Sequence, residues 1–474
     1  MRHSAPRPDK SPRSVVLVQP NYRLIRAARQ MAISPPLGLL YLAATLEQNR
    51  IPVRIVDALA DNLTLEGTVA AIMDANPSHA GFGFMTPAAD LCAETARRLP
   101  RGVTKIAGGP HASAVPEDAL KSGFDIVVRG EGEETLPEIV RRASLLKIEG
   151  ISFKANGRPV HATDRPRLDP DSLPLPARHL IARGGTDKPY LSDGTRFTPW
   201  APILTSRGCP YACYYCPKDA HGHAFRARSP ENVLREIDLL VETYGIKELI
   251  FYDHLFNFDL VRAERILDLI AGRDYRLCLR FVNGLRADKV NQRLMAKMKR
   301  AGTTFVAYGI ESGDPEILRR IPKGETLDQI RRAVRLTKRA GLLTAGFFIL
   351  GLIGDTVRTM RRTIRFAKSL DLDGINLGIA IPYPGTRMER MIRQMGGRIH
   401  YQKWEDFLTR LGKMPYTVPG MASEKQVEAM FKKAFVSFYF SPRYLLRHAS
   451  LVFKPSLYRS VVRGLRRLVS DLSR

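Results

Sequence analysis

Pro202-Ile-Leu-Thr-Ser-Arg-Gly-Cys-Pro-Tyr-Ala-Cys-Tyr-Tyr-Cys216 places three cysteines within eight positions, directly after the short apolar strand Ile203-Leu-Thr205. The whole chain of 474 residues has five cysteines, an odd number and far too few for a disulfide scaffold. The spacing Cys209-x3-Cys213-x2-Cys216 therefore reads as a metal-binding loop in a reducing compartment. Zinc prefers four ligands, often as two Cys pairs, and no second pair exists; His221 or His223 could complete such a set. A [4Fe–4S] cube held by three cysteines leaves one iron open to a small-molecule ligand. Gly208 and Pro210 allow a tight loop whose amides face the cluster sulfur.

Outward from this loop, residues 199–390 alternate strands and long helices. Strands are expected at Ile203–Thr205, Glu248–Tyr252, Leu279–Asn283, Thr304–Ile310, Thr344–Leu350 and Gly374–Ile381. Helices between them include Pro230–Tyr244, Asn291–Ala301 and Leu327–Ala340. Six consecutive β/α units predict a partial, open (β/α)6 TIM-like barrel, with its chemistry in loops at the carboxyl ends of the strands. Residues 14–145 alternate too, with five short apolar strands beginning at Ser14, Val53, His79, Lys105 and Phe124. That pattern predicts an α/β, doubly wound parallel sheet. Its Gly-rich turns, Gly108-Gly109 and Gly130-Glu-Gly-Glu133, lie at strand ends, where such sheets bind ligands. Arg165-Pro-Arg-Leu-Asp-Pro-Asp-Ser-Leu-Pro-Leu-Pro176 carries four prolines in twelve positions, so 146–198 reads as a linker. Residues 1–13 read as a disordered tail. Residues 391–474 read as a helical region, including Glu424–Tyr439 and a C-terminal amphipathic stretch.

Composition narrows the class. With 44% hydrophobic and 26% charged residues the chain is an ordinary globular protein. No apolar run reaches the ~18 residues of a membrane span, and Met1-Arg-His-Ser-Ala-Pro-Arg-Pro8 lacks the apolar core of a secretory signal. A cytoplasmic protein is expected, with peripheral membrane contact open to it. The net charge of +27, from 74 basic and 47 acidic residues, suits acidic partners or surfaces. From Pro455 to Arg474, apolar residues recur at helical spacing and Arg459, Arg463, Arg466 and Arg467 flank them. That stripe either packs on the barrel or lies on an anionic membrane.

Taken with its context, the cysteine loop resembles that of the radical S-adenosylmethionine (SAM) superfamily, including the aromatic Tyr215 before the last cysteine. Gly309-Ile-Glu-Ser-Gly313, Phe347-Phe-Ile-Leu-Gly-Leu-Ile-Gly-Asp-Thr356 and Pro382-Tyr-Pro-Gly-Thr386 resemble further stretches of that superfamily; Ile353 and Asp355 replace its usual Pro and Glu. The resemblance implies that Cys209, Cys213 and Cys216 hold a [4Fe–4S] cluster and that Tyr215, Asp253 and Glu311 contact SAM. Glu311 would approach the ribose. Asp253 would meet the amino group or, alternatively, cap a helix.

Ser34-Pro-Pro-Leu-Gly-Leu39, Gly108-Gly-Pro-His-Ala-Ser113 and Val128-Arg-Gly-Glu-Gly-Glu-Glu-Thr135 resemble the cobalamin-binding domain of B12-dependent radical SAM proteins. Cobalamin contacts implied are Thr86, Gly108, Gly109, His111, Gly130, Glu131, Gly132 and Glu133. Glu131 and Glu133 have a second reading, favourable charge at a helix N-terminus. No Asp-x-His-x-x-Gly motif supplies a cobalt ligand, which leaves either His-off cobalt or a domain that no longer binds cobalamin. His111 reads as a hydrogen-bonding loop residue rather than a ligand. Cys92 and Cys278 read as small buried apolar groups, with Cys278 facing the site as the alternative.

The implied function is SAM-dependent radical methylation of an unactivated carbon in a small-molecule or lipid-like substrate. One SAM would remethylate cobalamin and another would supply a 5′-deoxyadenosyl radical. An acidic electron donor such as flavodoxin or ferredoxin is the expected redox partner. The alternatives are oxidative ring closure or rearrangement of the tetrapyrrole-cyclase type, and an iron–sulfur RNA-binding or sensor protein. Nucleic acid is not the expected partner, and methylthio transfer to tRNA disagrees with a single N-terminal cysteine.

Overall fold

A computed structural model describes residues 13–448 apart from 26–27, 29–32, 142–143, 182–189, 191–193, 219 and 409–412. The tail at 1–12 and the amphipathic stretch 455–474 lie outside the described residues. Two compact units emerge, one within Met1–Leu24, Pro36–Arg167 and Leu173–Gly184, the other within Ile25–Pro35, Leu168–Ser172 and Gly185–Arg474.

In the first unit, β1 (Val15–Gln19), β2 (Val53–Asp57), β3 (His79–Gly83), β4 (Thr104–Gly108) and β5 (Ile126–Val128) pair in parallel, in the order β2-β1-β3-β4-β5. The run Val15-Val-Leu-Val18 is 1% exposed throughout, as a central parallel strand covered on both faces requires. Helices α1 (Leu37–Gln48), α2 (Leu65–Asp74), α3 (Ala89–Arg98), α4 (Pro110–Ala114), α5 (Pro116–Lys121) and α6 (Thr135–Arg141) connect or follow these strands. Cys92, on α3, is fully buried, as expected of a small apolar group.

The stretch 146–198 differs from the expected linker. β6 (Ile151–Ala155) pairs antiparallel with β5, and β7 (Arg158–His161) antiparallel with β6, which makes a seven-stranded sheet. Asn156 and Gly157 join them with φ of 50° and 76°. Positive φ at both central residues marks the tight turn whose twist suits a hairpin. Pro159 is tolerated because β7 is the sheet edge.

The second unit is built on β8 (Trp200–Ile203), with the short β9 (Ser206–Arg207) and β10 (Arg226–Ala227) paired antiparallel behind it. β11 (Glu248–Phe251), β12 (Cys278–Leu285), β13 (Thr303–Glu311), β14 (Leu343–Leu350) and β15 (Gly374–Ile379) complete a parallel sheet in the order β15-β14-β13-β12-β11-β8. Strand neighbours follow chain order and β8 and β15 are edges, so this is the open six-unit barrel expected. Its helices are α7 (Pro230–Glu242), α8 (Leu260–Ala271), α9 (Gln292–Arg300), α10 (Pro315–Arg320), α11 (Leu327–Arg339), α12 (Val357–Ser369) and α13 (Arg387–Gln394). Each starts on a Ser, Thr, Asp or Asn whose side chain accepts an amide of the first turn: Ser229, Asp259, Asn291, Asp314, Thr326, Thr356 and Thr386.

The C-terminal region is not wholly helical. β16 (Arg398–Ile399) pairs antiparallel with β17 (Tyr416–Thr417) before α14 (Glu424–Tyr439) and α15 (Pro442–His448). Tyr439 Oη bonds the backbone N–H and C=O of Ile375, both at 3.1 Å, tying α14 to the start of β15. Among the described residues no helix is long and apolar enough to cross a membrane.

Candidate functional site

The three clustered cysteines lie on one loop at the carboxyl end of β8, pinched at its base by the β9–β10 pair. Gly208 turns the chain into this loop with φ of 78°, and a Cβ there would run into the Ala224 carbonyl oxygen. Only glycine fits. Cys209 N–H donates to Gly222 O at 3.3 Å, and Lys218 Nζ donates to Cys209 O at 3.1 Å, so the loop closes on its own backbone. Cys209, Cys213 and Cys216 are all free thiols, and burial pushes the Cys213 thiol upward. Among the described residues no three His, Cys, Asp or Glu groups gather tightly enough for one metal ion. Thiolates of a [4Fe–4S] cube bind different irons and stand farther apart than the ligands of one zinc. Three free thiols on one loop are the donor set a [4Fe–4S] cube takes when one iron is left to another ligand.

Glu311 ends β13 with φ of 64°, a conformation rare for a side-chain-bearing residue. A register shift between Gly309 and Glu311 accompanies it. Its Oε1 lies 3.1 Å from Lys323 Nζ, and Glu311 acts electrostatically on both Cys213 and Tyr215. Tyr215 is half-buried, packs edge-on against Tyr214 at 5.5 Å, and has its phenol pushed well up by burial. The structure thus brings Glu311, Tyr215 and the cysteine loop together.

Asp253 requires a correction. It follows β11 at the strand's carboxyl end but is 4% exposed, and its carboxylate accepts from Thr205 Oγ1 at 2.6 Å, Ser206 Oγ at 2.5 Å and Thr205 N at 3.2 Å. Arg262 of α8 reaches the same place, donating to Thr205 O at 2.5 Å and Arg228 O at 2.7 Å. Asp253 neither opens toward a ligand nor caps α8, whose cap is Asp259. It fastens the strand end from which the cysteine loop departs. Cys278 opens β12 at the amino end of the strand, 3.1 Å from Thr304 Oγ1, away from the carboxyl ends where the loop sits.

Asp355, in the stretch Phe347–Thr356, is also structural. It is 1% exposed and accepts from Thr359 Oγ1 at 2.7 Å and Leu352 N at 3.0 Å, and burial pushes its carboxyl up to about 6.

In the first unit, the loops after β4 and β5 are joined by Gly130 N–H donating to Ser113 Oγ at 2.9 Å. Gly109 has φ of 90°, and a Cβ there would stand 2.9 Å from Phe84 N. A Cβ on Gly130, at φ of 78°, would strike Arg167, and one on Gly132 would crowd Leu42 at 3.1 Å, whereas Gly108 has ordinary space. Glu131 and Glu133 are buried at the approach to α6. His111 is 1% exposed, with Nδ1 3.3 Å from Thr86 Oγ1 and Nε2 3.2 Å from Asp118 Oδ2. Both ring nitrogens are engaged inside the protein, so neither His111 nor its buried partner Thr86 faces a ligand as the chain stands; they brace the loops. Two residues escaped sequence reasoning: Leu24 and Met85, 44% and 46% exposed, stand past the carboxyl ends of the neighbouring strands β1 and β3. Exposed apolar groups beside strand-end glycines such as Gly83, Gly108 and Gly109 fit a flat macrocycle. Arg286 and Lys323 also escaped, since neither belongs to a quoted motif.

Comparison with known proteins agrees with this division. Residues 203–367 match the Radical SAM superfamily and residues 25–140 match the B12 binding domain. An uncharacterized methyltransferase of Pyrococcus horikoshii is 34% identical over 430 residues, 87% of this chain and 89% of that protein. The anaerobic magnesium-protoporphyrin IX monomethyl ester cyclase of Rubrivivax gelatinosus is 25% identical, over 83% of this chain and 72% of that one. Among solved structures, the radical SAM methyltransferase TsrM of Kitasatospora setae, with cobalamin and a [4Fe–4S] cluster bound, superposes with a TM-score of 0.70 at 19% identity. It covers 88% of this chain and 91% of that one, a likeness of fold. With a B12-binding sheet followed by an open barrel carrying the three-cysteine loop, the chain belongs to the cobalamin-binding radical SAM family.

Proposed function

We propose that this chain methylates an unactivated carbon of a small-molecule or lipid-like substrate. The observation that carries the reading is the pairing, in one chain, of a three-thiol loop beside Glu311 with a second sheet whose strand ends are built from glycine and exposed apolar side chains. The extended similarity to a protein named as a methyltransferase supports it. When bound, the cluster and SAM supply a radical that removes a substrate hydrogen atom, and cobalamin carries the methyl group.

The chain's own residues divide the remaining work. Cys209, Cys213 and Cys216 hold the irons, while Gly208 lets their loop turn. Tyr215 walls the SAM pocket and Glu311 accepts from the ribose hydroxyls. Asp253, through Thr205 and Ser206, keeps the loop at the strand end. Gly109 and Gly130 let backbone approach the corrin, Leu24 and Met85 offer it apolar surface, and His111 and Thr86 keep those loops in place. An acidic donor of flavodoxin or ferredoxin type would reduce the cluster, and contact of residues 455–474 with an anionic membrane would suit a lipid-like substrate.

Oxidative cyclisation is the second reading, favoured by the similarity to the protoporphyrin ester cyclase. One experiment separates them. Reconstituted protein is incubated anaerobically with a low-potential reductant such as dithionite or reduced flavodoxin, methyl-labelled SAM and metabolite extract from cells lacking this chain. Methylation yields 5′-deoxyadenosine and a labelled product. An unlabelled, ring-closed product would transfer the assignment to the cyclase reading, and absence of 5′-deoxyadenosine would remove both.

A further inference from the structure

At the open edge of the barrel the two faces of the sheet differ. On β14 and β15, Phe348, Leu350, Ile375, Leu377 and Ile379 are buried in the core. Three of them, Phe348, Ile375 and Leu377, meet Ile364 of α12 and Phe438 of α14 around one small apolar cavity, which marks this face as the one under the helices. Successive side chains of a strand point to opposite faces, so Ala345, Phe347 and Ile349 of β14 and Asn376 and Gly378 of β15 turn to the barrel interior. Asn376 is exposed and the other four are half-buried. Two glycines measure the contrast. A Cβ on Gly346, on the helix side, would stand 2.8 Å from Ile310 Cδ1, whereas one on Gly378 would meet nothing within 4 Å.

Strand register places this open wall beside Glu311. Gly309 of β13 pairs with Phe347, and Phe347 with Asn376, so the three form one row across the sheet. A Cβ on Gly309 would stand 2.7 Å from both Glu311 Oε1 and Lys323 Nζ, which lie over that end of the row. At about 4.8 Å per strand, Asn376 is roughly 10 Å along the row from Gly309. A molecule resting on the wall would therefore lie next to SAM.

The wall has no charge to offer. Neither β14 nor β15 contains an acidic or basic residue, and Glu311 is the only one in β13. The charges over Gly309 are matched among themselves: Lys323 Nζ lies 3.1 Å from both Glu311 Oε1 and Glu325 Oε2, and Glu325 lies 3.9 Å from Arg286. An ionic group leaving water for this surface would find no counter-charge. Asn376 is the polar exception, and its amide is unpaired among the described residues. Asn283 of β12, by contrast, donates to Tyr252 O at 2.7 Å. A free amide can both donate and accept, which suits a hydroxyl or a carbonyl.

We propose that the inner face of β14 and β15 is the substrate wall of the barrel, that the substrate is an uncharged, mainly apolar molecule, and that the Asn376 amide holds its one hydroxyl or carbonyl group. The proposal rests on the reading of the cysteine loop and Glu311 as the place where SAM is cleaved.

The test counts 5′-deoxyadenosine, which reports hydrogen removal whether methylation or ring closure follows. Full-length protein, anaerobically reconstituted and supplied with dithionite and SAM, receives one of two fractions of extract from cells lacking this chain: the uncharged, organic-soluble one or the one retained on ion exchangers. The first should raise 5′-deoxyadenosine formation several-fold and the second should not. Asn376→Leu should need about tenfold more of the first fraction for half-maximal formation, the cost of leaving one polar group unpaired. Gly378→Val, whose added carbons enter free space, should abolish the stimulation by filling the wall. Both variants should keep wild-type iron content and, by calorimetry, wild-type SAM affinity, which separates a substrate contact from damage to the SAM site. If Asn376→Leu loses its iron, Gly378→Val decides. Stimulation by the retained fraction or by neither, an unaltered response in the folded variants, or a matching loss of SAM affinity would overturn the proposal. Wild type that forms no 5′-deoxyadenosine under any condition would instead overturn the SAM-cleavage reading.

Discussion

The two parallel sheets of this chain end in loops of opposite chemistry. At the carboxyl ends of β8, β12 and β13 stand three thiols, a left-handed glutamate and a buried chain of charges. At those of β1, β3, β4 and β5 stand glycines, two exposed apolar side chains and a histidine with both nitrogens occupied. A group held by covalent ligation needs particular side chains at particular spacings. A group held by shape needs space, and space is written mainly as the absence of Cβ atoms.

The difference can be broken most forcefully at Gly208. Alanine there would collide with the Ala224 carbonyl and strain a φ of 78°, at about 3 kcal/mol or more. Iron content should fall from about four per chain to nearly none while cobalamin uptake persists. The mirror experiment is Gly109→Ala, whose Cβ would press on Phe84 N at 2.9 Å. Cobalamin binding should weaken about tenfold, the effect of ~1.4 kcal/mol, with iron unchanged.

Charge at the second sheet is not all chemistry, and Asp355 sharpens that point. Its buried carboxyl titrates near 6, above its ordinary 3.8, so the folded state holds the proton more tightly. Stability from this group is therefore fully present below about pH 4 and lost as pH rises toward 6. Asp355→Asn should remove a decline of about 2 kcal/mol across that window, read by denaturant unfolding at each pH, and should leave iron content alone. A variant that keeps the whole decline would show that another group produces it. The smallest effect is expected at His111. In the Co(II) form, electron paramagnetic resonance should show no nitrogen superhyperfine splitting, and His111→Gln should leave that spectrum as it is. A nitrogen triplet in wild type, lost in the variant, would make His111 a cobalt ligand.

Most of the scaffold was legible in the sequence. Continuous apolar runs such as Val15–Val18 marked buried parallel strands, and helical spacing marked Pro230–Tyr244 and Leu327–Ala340, close to the observed α7 and α11. The β6–β7 hairpin was obscured by Pro159 and the prolines beyond it, although Asn156-Gly157 carried a turn signal. The cysteine loop was legible because its ligands are local. Asp253 was misassigned because strand position tells where a residue stands but not which way its side chain turns. Lys323 carried no recognisable signal: Glu325 stands two residues away, but its other partners, Gly309, Glu311 and Arg286, are remote in sequence.

The most direct test of two cofactors held in two ways is a paired assay of iron and cobalamin on anaerobically reconstituted full-length protein. Wild type should carry about four irons and one cobalamin per chain. The triple variant Cys209→Ala, Cys213→Ala, Cys216→Ala should lose the iron and keep the cobalamin. A triple variant that retains its iron, or a wild type that binds iron but no cobalamin, would contradict the account.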